Sequence, residues 1–264
     1  MLEEYKKRYN YLSYHINNIN LGLVKSLNKG LKLCNGDYIA RMDADDISKL
    51  DRIENQISYL ENYNYDIIGT KVYSFSENFK IERETLYSNK ACKLALFCCP
   101  CMAHPTWLAK RKVYEKNKGY RDIDACEDYD FIIRAVKNNF RIGNIPKVLL
   151  YYRDNCNSIS HIKDSRQFVI SKFLAKKWQL GYIPSEKDIE KYIKSVSYKK
   201  KISFYRNLKK IEEELTVSND ILYKIKLYNK MITNPVWVKN KISRIYIRCI
   251  KILDKKIFFR RGDV

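Results

Sequence analysis

Asp43-Ala44-Asp45-Asp46 follows at once on the short apolar stretch Tyr38-Ile39-Ala40-Arg41-Met42. A strand that ends in clustered carboxylates delivers hard oxygen ligands to one edge of a sheet, the arrangement needed to hold Mg²⁺ or Mn²⁺ against a phosphate. A second acidic group, Glu127-Asp128-Tyr129-Asp130, opens an amphipathic segment some 80 residues later and offers a general base. Each group also has a plainer reading. Asp43, Asp45 and Asp46 suit a solvated turn, and Glu127 and Asp128 favour a helix start whatever their chemistry.

The elements around these groups alternate. Leu23, Leu27 and Leu31 follow a helical period that Asn35-Gly36 ends, and a strand running to Met42 comes next. Leu50, Ile53, Ile57 and Leu60 recur as a helix with Ser48 as N-cap, and 66–72 reads as a strand. A helix is expected over 88–99, an extended run over 104–109, a helix over 127–137, and strand, turn and strand around Pro146. This alternation predicts an α/β layer structure.

The 264 residues are 45% apolar, ample for a core, and 51 Lys and Arg against 30 Asp and Glu give a formal charge of +21. Such an excess favours polyanionic partners: nucleic acid, anionic lipid or nucleoside diphosphates. The eight cysteines are scattered, with no spacing typical of a small disulfide framework, and no leader pattern opens the chain, so a reduced cytoplasmic setting is expected. No apolar run approaches the ~20 residues that cross a bilayer. Cys98-x-x-Cys101 with His104 has a zinc-like spacing but lacks the second half of a structural site, so these cysteines are expected to line the core.

Beyond Asp164 the pattern changes to Lys-rich helical segments over 168–179, 186–195, 199–215, 219–232 and 236–259. In the last, nine cations from Lys239 to Arg261 face only Asp254 and Asp263, while Ile242, Ile245, Tyr246, Cys249, Ile252 and Leu253 recur at helical spacing. Two readings stay open. The helix lies on anionic lipid at the inner face of a membrane, or its apolar face packs on the preceding domain while the cations are solvated.

From about residue 20 to 160 the chain resembles a family 2 glycosyltransferase of the GT-A fold. The resemblance runs through 20–31, then Gly36-Asp37-Tyr38 to Asp46, then Arg52-Ile53-Glu54-Asn55-Gln56. It resumes at His104-Pro105-Thr106 and 110–114, and closes with Glu127-Asp128-Tyr129-Asp130 and 145–153. It implies a GT-A-like, Rossmann-like α/β fold, a mixed sheet flanked by helices, over residues 1–163, followed by a helical basic C-terminal extension over 164–264. It further implies a nucleotide diphosphate sugar donor, a cell-surface polysaccharide or glycolipid precursor as acceptor, and inversion in a single displacement. A divalent cation, Mn²⁺ or Mg²⁺, is then held by Asp45, with Asp43 toward the metal or the ribose. Asp128 becomes the base, with Glu127 second; Arg153 approaches the diphosphate and His104 lines the donor or acceptor pocket, unless it is a hydrogen-bonded structural histidine.

Two departures qualify this likeness. The strand-helix-strand that usually opens the family's nucleotide-binding half, roughly 50 residues, has no counterpart, and 1–9 corresponds to the helix after it. The chain therefore reads as N-terminally truncated, with an exposed sheet edge beside Tyr38 to Met42 that a separate chain could complete. Where many relatives carry a histidine this chain has Asn155, and His161 nearby is out of register. The rival is an inactive remnant acting as a basic membrane- or nucleic-acid-binding protein; the absence of any RNA-binding signature makes nucleic acid the less expected partner.

Overall fold

The structure, a computed structural model, describes residues 2–77, 79–123, 125–155, 163–218 and 220–260; His161, Arg261 and Asp263 lie outside the described residues. At its centre, β1 (Tyr38–Ala40), β2 (Ile47–Ser48), β3 (Ile67–Phe75), β4 (Lys80–Arg83), β5 (Leu108–Lys110) and β6 (Ile142–Arg153) form one mixed sheet. Its order is β1-β5-β3-β6-β2, and β4 continues along β3 past β5. The long strands β3 and β6 pair in parallel from Ile67↔Ile142 to Phe75↔Arg153, and every other pairing is antiparallel. Ile67, Ile68, Gly69 and Thr70 are all buried, as in a strand covered on both faces.

Helices α1 (Leu2–Arg8), α2 (Leu23–Leu33), α3 (Arg52–Asn62), α4 (Asn89–Ala95), α5 (Arg111–Asn117) and α6 (Glu127–Lys137) accompany the sheet. Five more follow: α7 (Asp164–Gln179), α8 (Glu186–Lys194), α9 (Val196–Val217), α10 (Ile221–Ile232) and α11 (Pro235–Arg260). The main core joins the two sets. Trp107, Phe131 and Ile142 pack in one apolar cluster with Val169 and Leu174 of α7, Ile189 of α8 and Ile250 of α11. Cys92 and Cys101 lie in that same cluster.

Several local expectations are corrected. Ser48 belongs to β2, and α3 starts after Asp51, because the chain must first pair with Tyr151 and Leu150 of β6. The first strand ends at Ala40, so Arg41 and Met42 already belong to the loop. His104–Thr106 is a turn of 3₁₀ helix rather than extended chain, closed by Trp107 N–H donating to the His104 carbonyl at 3.2 Å. Residues 142–153 form one strand: the pairing passes from Thr70↔Ile145 to Lys71↔Val148, so Pro146 and Lys147 are accommodated as a bulge instead of a turn.

The basic C-terminal helix separates the two faces that its sequence left undecided. Ile250, Asp254 and Phe258 are buried against the domain, whereas Ile242, Ile245, Tyr246, Cys249, Ile252 and Leu253, the stripe expected to pack or to meet lipid, are exposed. Among the described residues no helix is long and apolar enough to cross a membrane.

Candidate active site

The loop from Arg41 to Asp46 leaves β1 at one edge of the sheet and enters β2 at the other, so its carboxylates must pass over the strands between. Two buried side chains of α3 fix its surroundings. Arg52 donates to the carbonyls of Pro105 (3.0 Å) and Arg41 (3.3 Å), and Gln56 donates to those of Ile68 (3.1 Å) and Thr106 (2.7 Å). Buried carbonyls without such donors would each cost a hydrogen bond. Gly69 supplies the clearance: a Cβ there would meet Asn144 Oδ1 at 2.3 Å and Thr106 Oγ1 at 2.9 Å.

All six residues singled out from the sequence line one cleft of about 490 Å³: Asp43, Asp45, His104, Glu127, Asp128 and Arg153. Arg41, Arg83, Met102, Tyr152 and Gln167 complete much of its wall. Asp45 is exposed, and its carboxylate makes no hydrogen bond or ion pair among the described residues. Asp43 is held in two-pronged fashion by Arg41, at 2.8 and 2.5 Å, which ties its carboxylate to a cation already present.

Asp46, assigned no role from the sequence, is buried. Its Oδ1 accepts the Arg153 backbone N–H at 2.9 Å, while Oδ2 has no partner among the described residues. Burial above all, then Asp43 and Asp45, pushes its pKa up to about 6 against the opposing Arg153 N–H. Mg²⁺-type ions are commonly carried by one or two carboxylates plus substrate phosphates. The open carboxylate of Asp45, which lines the cleft, fits such a donor set; Asp46 is buried and does not line the cleft, and among the described residues no three ligating side chains form a ready cage.

Arg153 reaches the same cleft from β6. Its Nε donates to the Asp45 carbonyl at 2.9 Å and its guanidinium lies 4.7 Å from the centre of the Phe75 ring, while its terminal nitrogens have no protein partner among the described residues. Arg83 reaches the same cleft from β4, donating to Ser74 Oγ and Asp154 Oδ2. Nothing near Arg83 in the sequence marks it; only the pairing of β4 with β3 brings it in.

His104 both lines the cleft and is structurally bonded. Its Nε2 is 2.8 Å from Tyr120 Oη, and its ring packs on Trp107 at 4.5 Å. Tyr120 is in turn fixed by Asn28 of α2, which accepts from its backbone N–H and donates to its carbonyl, both at 2.8 Å. Burial, reinforced by Arg41, holds the imidazole pKa well below its usual value, so the ring is neutral near pH 7.

Glu127 and Asp128 form the first turn of α6, where helix N–H groups favour an anion. The Tyr129 N–H does donate to Asp128 Oδ1 at 2.6 Å, yet burial outweighs it and the Asp128 pKa is raised. Burial and then Asp128 push Glu127 up to about 7, with Arg41 and Lys163 opposing. Asp130 is turned away into an ion pair with Arg121 and Arg134. The result is two neighbouring buried carboxyls, both raised above the ordinary range, an environment suited to a general base.

A family model described as glycosyl transferase family 2 matches residues 1–134, just over half of the chain. An uncharacterized glycosyltransferase of Methanocaldococcus jannaschii is 33% identical over 174 residues, 64% of this chain and 60% of that protein. The O-antigen biosynthesis glycosyltransferase WbnJ of Escherichia coli is 36% identical over 132 residues, 48% of this chain and 52% of its own. The chain thus spans between half and two thirds of the length of these curated relatives. Among solved structures, S. aureus TarS 1-349 in complex with UDP-GlcNAc superposes with a TM-score of 0.53 at 14% identity, over 99% of this chain and 78% of that one. The mannosyltransferase PcManGT from Pyrobaculum calidifontis, in complex with GDP-Man and Mn²⁺, gives 0.52 at 11% identity over 96% and 72%. At such identities the two structures establish the GT-A-like fold, a mixed sheet flanked by helices. With the family model over the acidic loop and the start of α6, they lead to one conclusion: the chain belongs to glycosyltransferase family 2.

Proposed function

We propose that residues 1–163 carry a catalytic unit that moves a sugar from a nucleotide diphosphate sugar to a hydroxyl of a cell-surface polysaccharide or glycolipid precursor, inverting the anomeric carbon. The observation that carries this reading is the meeting in one cleft of an open carboxylate, Asp45, two neighbouring carboxyls raised by burial, Glu127 and Asp128, and a cation whose terminal nitrogens have no partner among the described residues, Arg153. The nucleotide sugars named with TarS and PcManGT support the donor class, and the O-antigen relative supports a polysaccharide acceptor.

In this reading Asp128 takes the acceptor proton as the hydroxyl attacks, with Glu127 sharing that proton. Arg153 and Arg83 meet the diphosphate, and His104, being neutral, serves as a fixed wall of the pocket. Asp45, with Asp46 behind it, is the residue to hold Mn²⁺ or Mg²⁺, and such an ion neutralises charge on a departing diphosphate. Asp43 shares that role only by leaving Arg41. We also place the exposed stripe of α11 on an anionic membrane surface, because its apolar residues are flanked by cations such as Lys241, Arg248 and Lys255.

The test is turnover or hydrolysis of UDP- and GDP-sugars by the chain with added Mn²⁺ or Mg²⁺, and by Asp45→Asn. The expected outcome is activity that chelation abolishes and that the amide, which cannot supply an anionic ligand, loses while the protein stays folded. Turnover that persists in excess chelator, or unchanged in Asp45→Asn, would remove the metal role from this residue.

A further inference from the structure

A second cavity, about 550 Å³, lies between α7, α9 and α11, away from the acidic loop. Five lysines line it: Lys172 and Lys176 from α7, Lys200 and Lys201 from α9, and Lys239 from α11. No acidic residue lines it, and none of the five makes an ion pair among the described residues. Lys172 is half-buried and donates only to neutral oxygens, the Cys98 carbonyl at 3.1 Å and Ser243 Oγ at 3.4 Å. Lys200 and Lys201 rest on the rings of Phe204 and Tyr192. Four of the five lysines are exposed and Lys201 also donates to Tyr192 Oη at 3.1 Å, but the half-buried Lys172 loses part of its hydration, so the lining carries positive charge with no acidic residue and favours an anion.

Most of the remaining lining is apolar, with Phe97, Phe168, Phe204, Val236 and Ile242 its largest side chains, and Gln179, Ser197 and Ser243 add neutral polar groups. A small hydrophilic anion has no use for such a wall, whereas a lipid phosphate with its attached hydrocarbon meets both surfaces at once. Ile242 also belongs to the stripe of α11 that faces solvent, with 63% of its surface exposed, so the cavity opens at the same helix face assigned above to a membrane. We propose that this lysine-lined cavity binds the phosphate of an anionic bilayer lipid, with the lipid's first methylenes lying along the phenylalanines and Ile242. This site rests on the membrane reading of α11 and adds to it a discrete, saturable lipid contact.

The probe is a short-chain phosphatidic acid kept below its micelle concentration, titrated onto the full chain and followed by its thermal melt and by tryptophan fluorescence from Trp178 and Trp237. A saturable rise with one lipid per chain is expected, and inorganic phosphate at the same concentration should give none. The triple variant K176Q/K200Q/K239Q, all at exposed positions, should weaken binding about tenfold or more. The charge-matched K187Q/K191Q/K194Q on α8 should bind as the unmodified chain does. Absence of a saturable response would overturn the site, as would equal binding by the first triple variant, equal losses in both, or an equal effect of inorganic phosphate. Lipid monomers present no membrane, so any of these results leaves vesicle attachment through α11 to its own test.

Discussion

At the scale of residues, the site is a contest between burial and the helix terminus, and burial wins at Glu127 and Asp128. A base that must be unprotonated to act gives turnover that rises with pH, here above the ordinary carboxylate range because burial raises Asp128. Asp128→Asn should lower the rate by about two to four orders of magnitude with donor affinity nearly kept. An equal loss of affinity in a binding titration would make Asp128 a binding residue instead. Glu127→Gln removes a like charge and should move the rising limb to lower pH, whereas Arg41→Met removes an opposing cation and should move it higher, with Lys163 and Asp130 unchanged in both. Stability runs the opposite way. A carboxyl raised from 4.5 to about 7 stabilises the fold fully below the lower value, and that contribution is lost as pH rises through the upper one. Urea midpoints measured on either side of that window should therefore converge in Glu127→Gln. The acidic groups were legible in the sequence because they are contiguous. Arg83 and the buried role of Asp46 were not, since strand pairing and enclosure create them.

At the scale of elements, the helices were readable and their exact starts were not. The period of residues 127–137 gives α6 its observed bounds, because the helix carries its own apolar face. Ser48 as a cap, the extended reading of His104–Thr106 and the turn at Pro146 all failed where partners distant in sequence decide the backbone. Gln56 illustrates the missing information: one side chain of α3 ties the β3 carbonyl of Ile68 to the Thr106 carbonyl beside the site. Gln56→Leu should cost about 1–3 kcal/mol, since both carbonyls stay buried without their donor. The measurement is chemical denaturation; a variant within a few tenths of the unmodified chain would show that water replaces the amide.

At the scale of the whole molecule, the formal charge of +21 has to be weighed against how its carriers are placed. The last helix is anchored rather than appended. Asp254 accepts from the Tyr87 N–H at 2.6 Å and from Ser88 Oγ at 2.5 Å, and Phe258 packs on Tyr87. Deleting α11 would therefore strip the core and confuse lost folding with lost attachment. The exposed stripe offers the cleaner variable, because Ile242, Ile245 and Ile252 face solvent and contribute little to the fold. The triple change I242S/I245S/I252S should leave the melting temperature nearly unaltered. Attachment to anionic vesicles should fall about tenfold or more, since each isoleucine inserted would contribute on the order of 1 kcal/mol or more. Added salt should weaken what remains, because the flanking cations act across water. Cosedimentation measures both effects. Attachment indifferent to the three serines, or equal on neutral and anionic vesicles, would show that the stripe and its cations do not act together on a membrane.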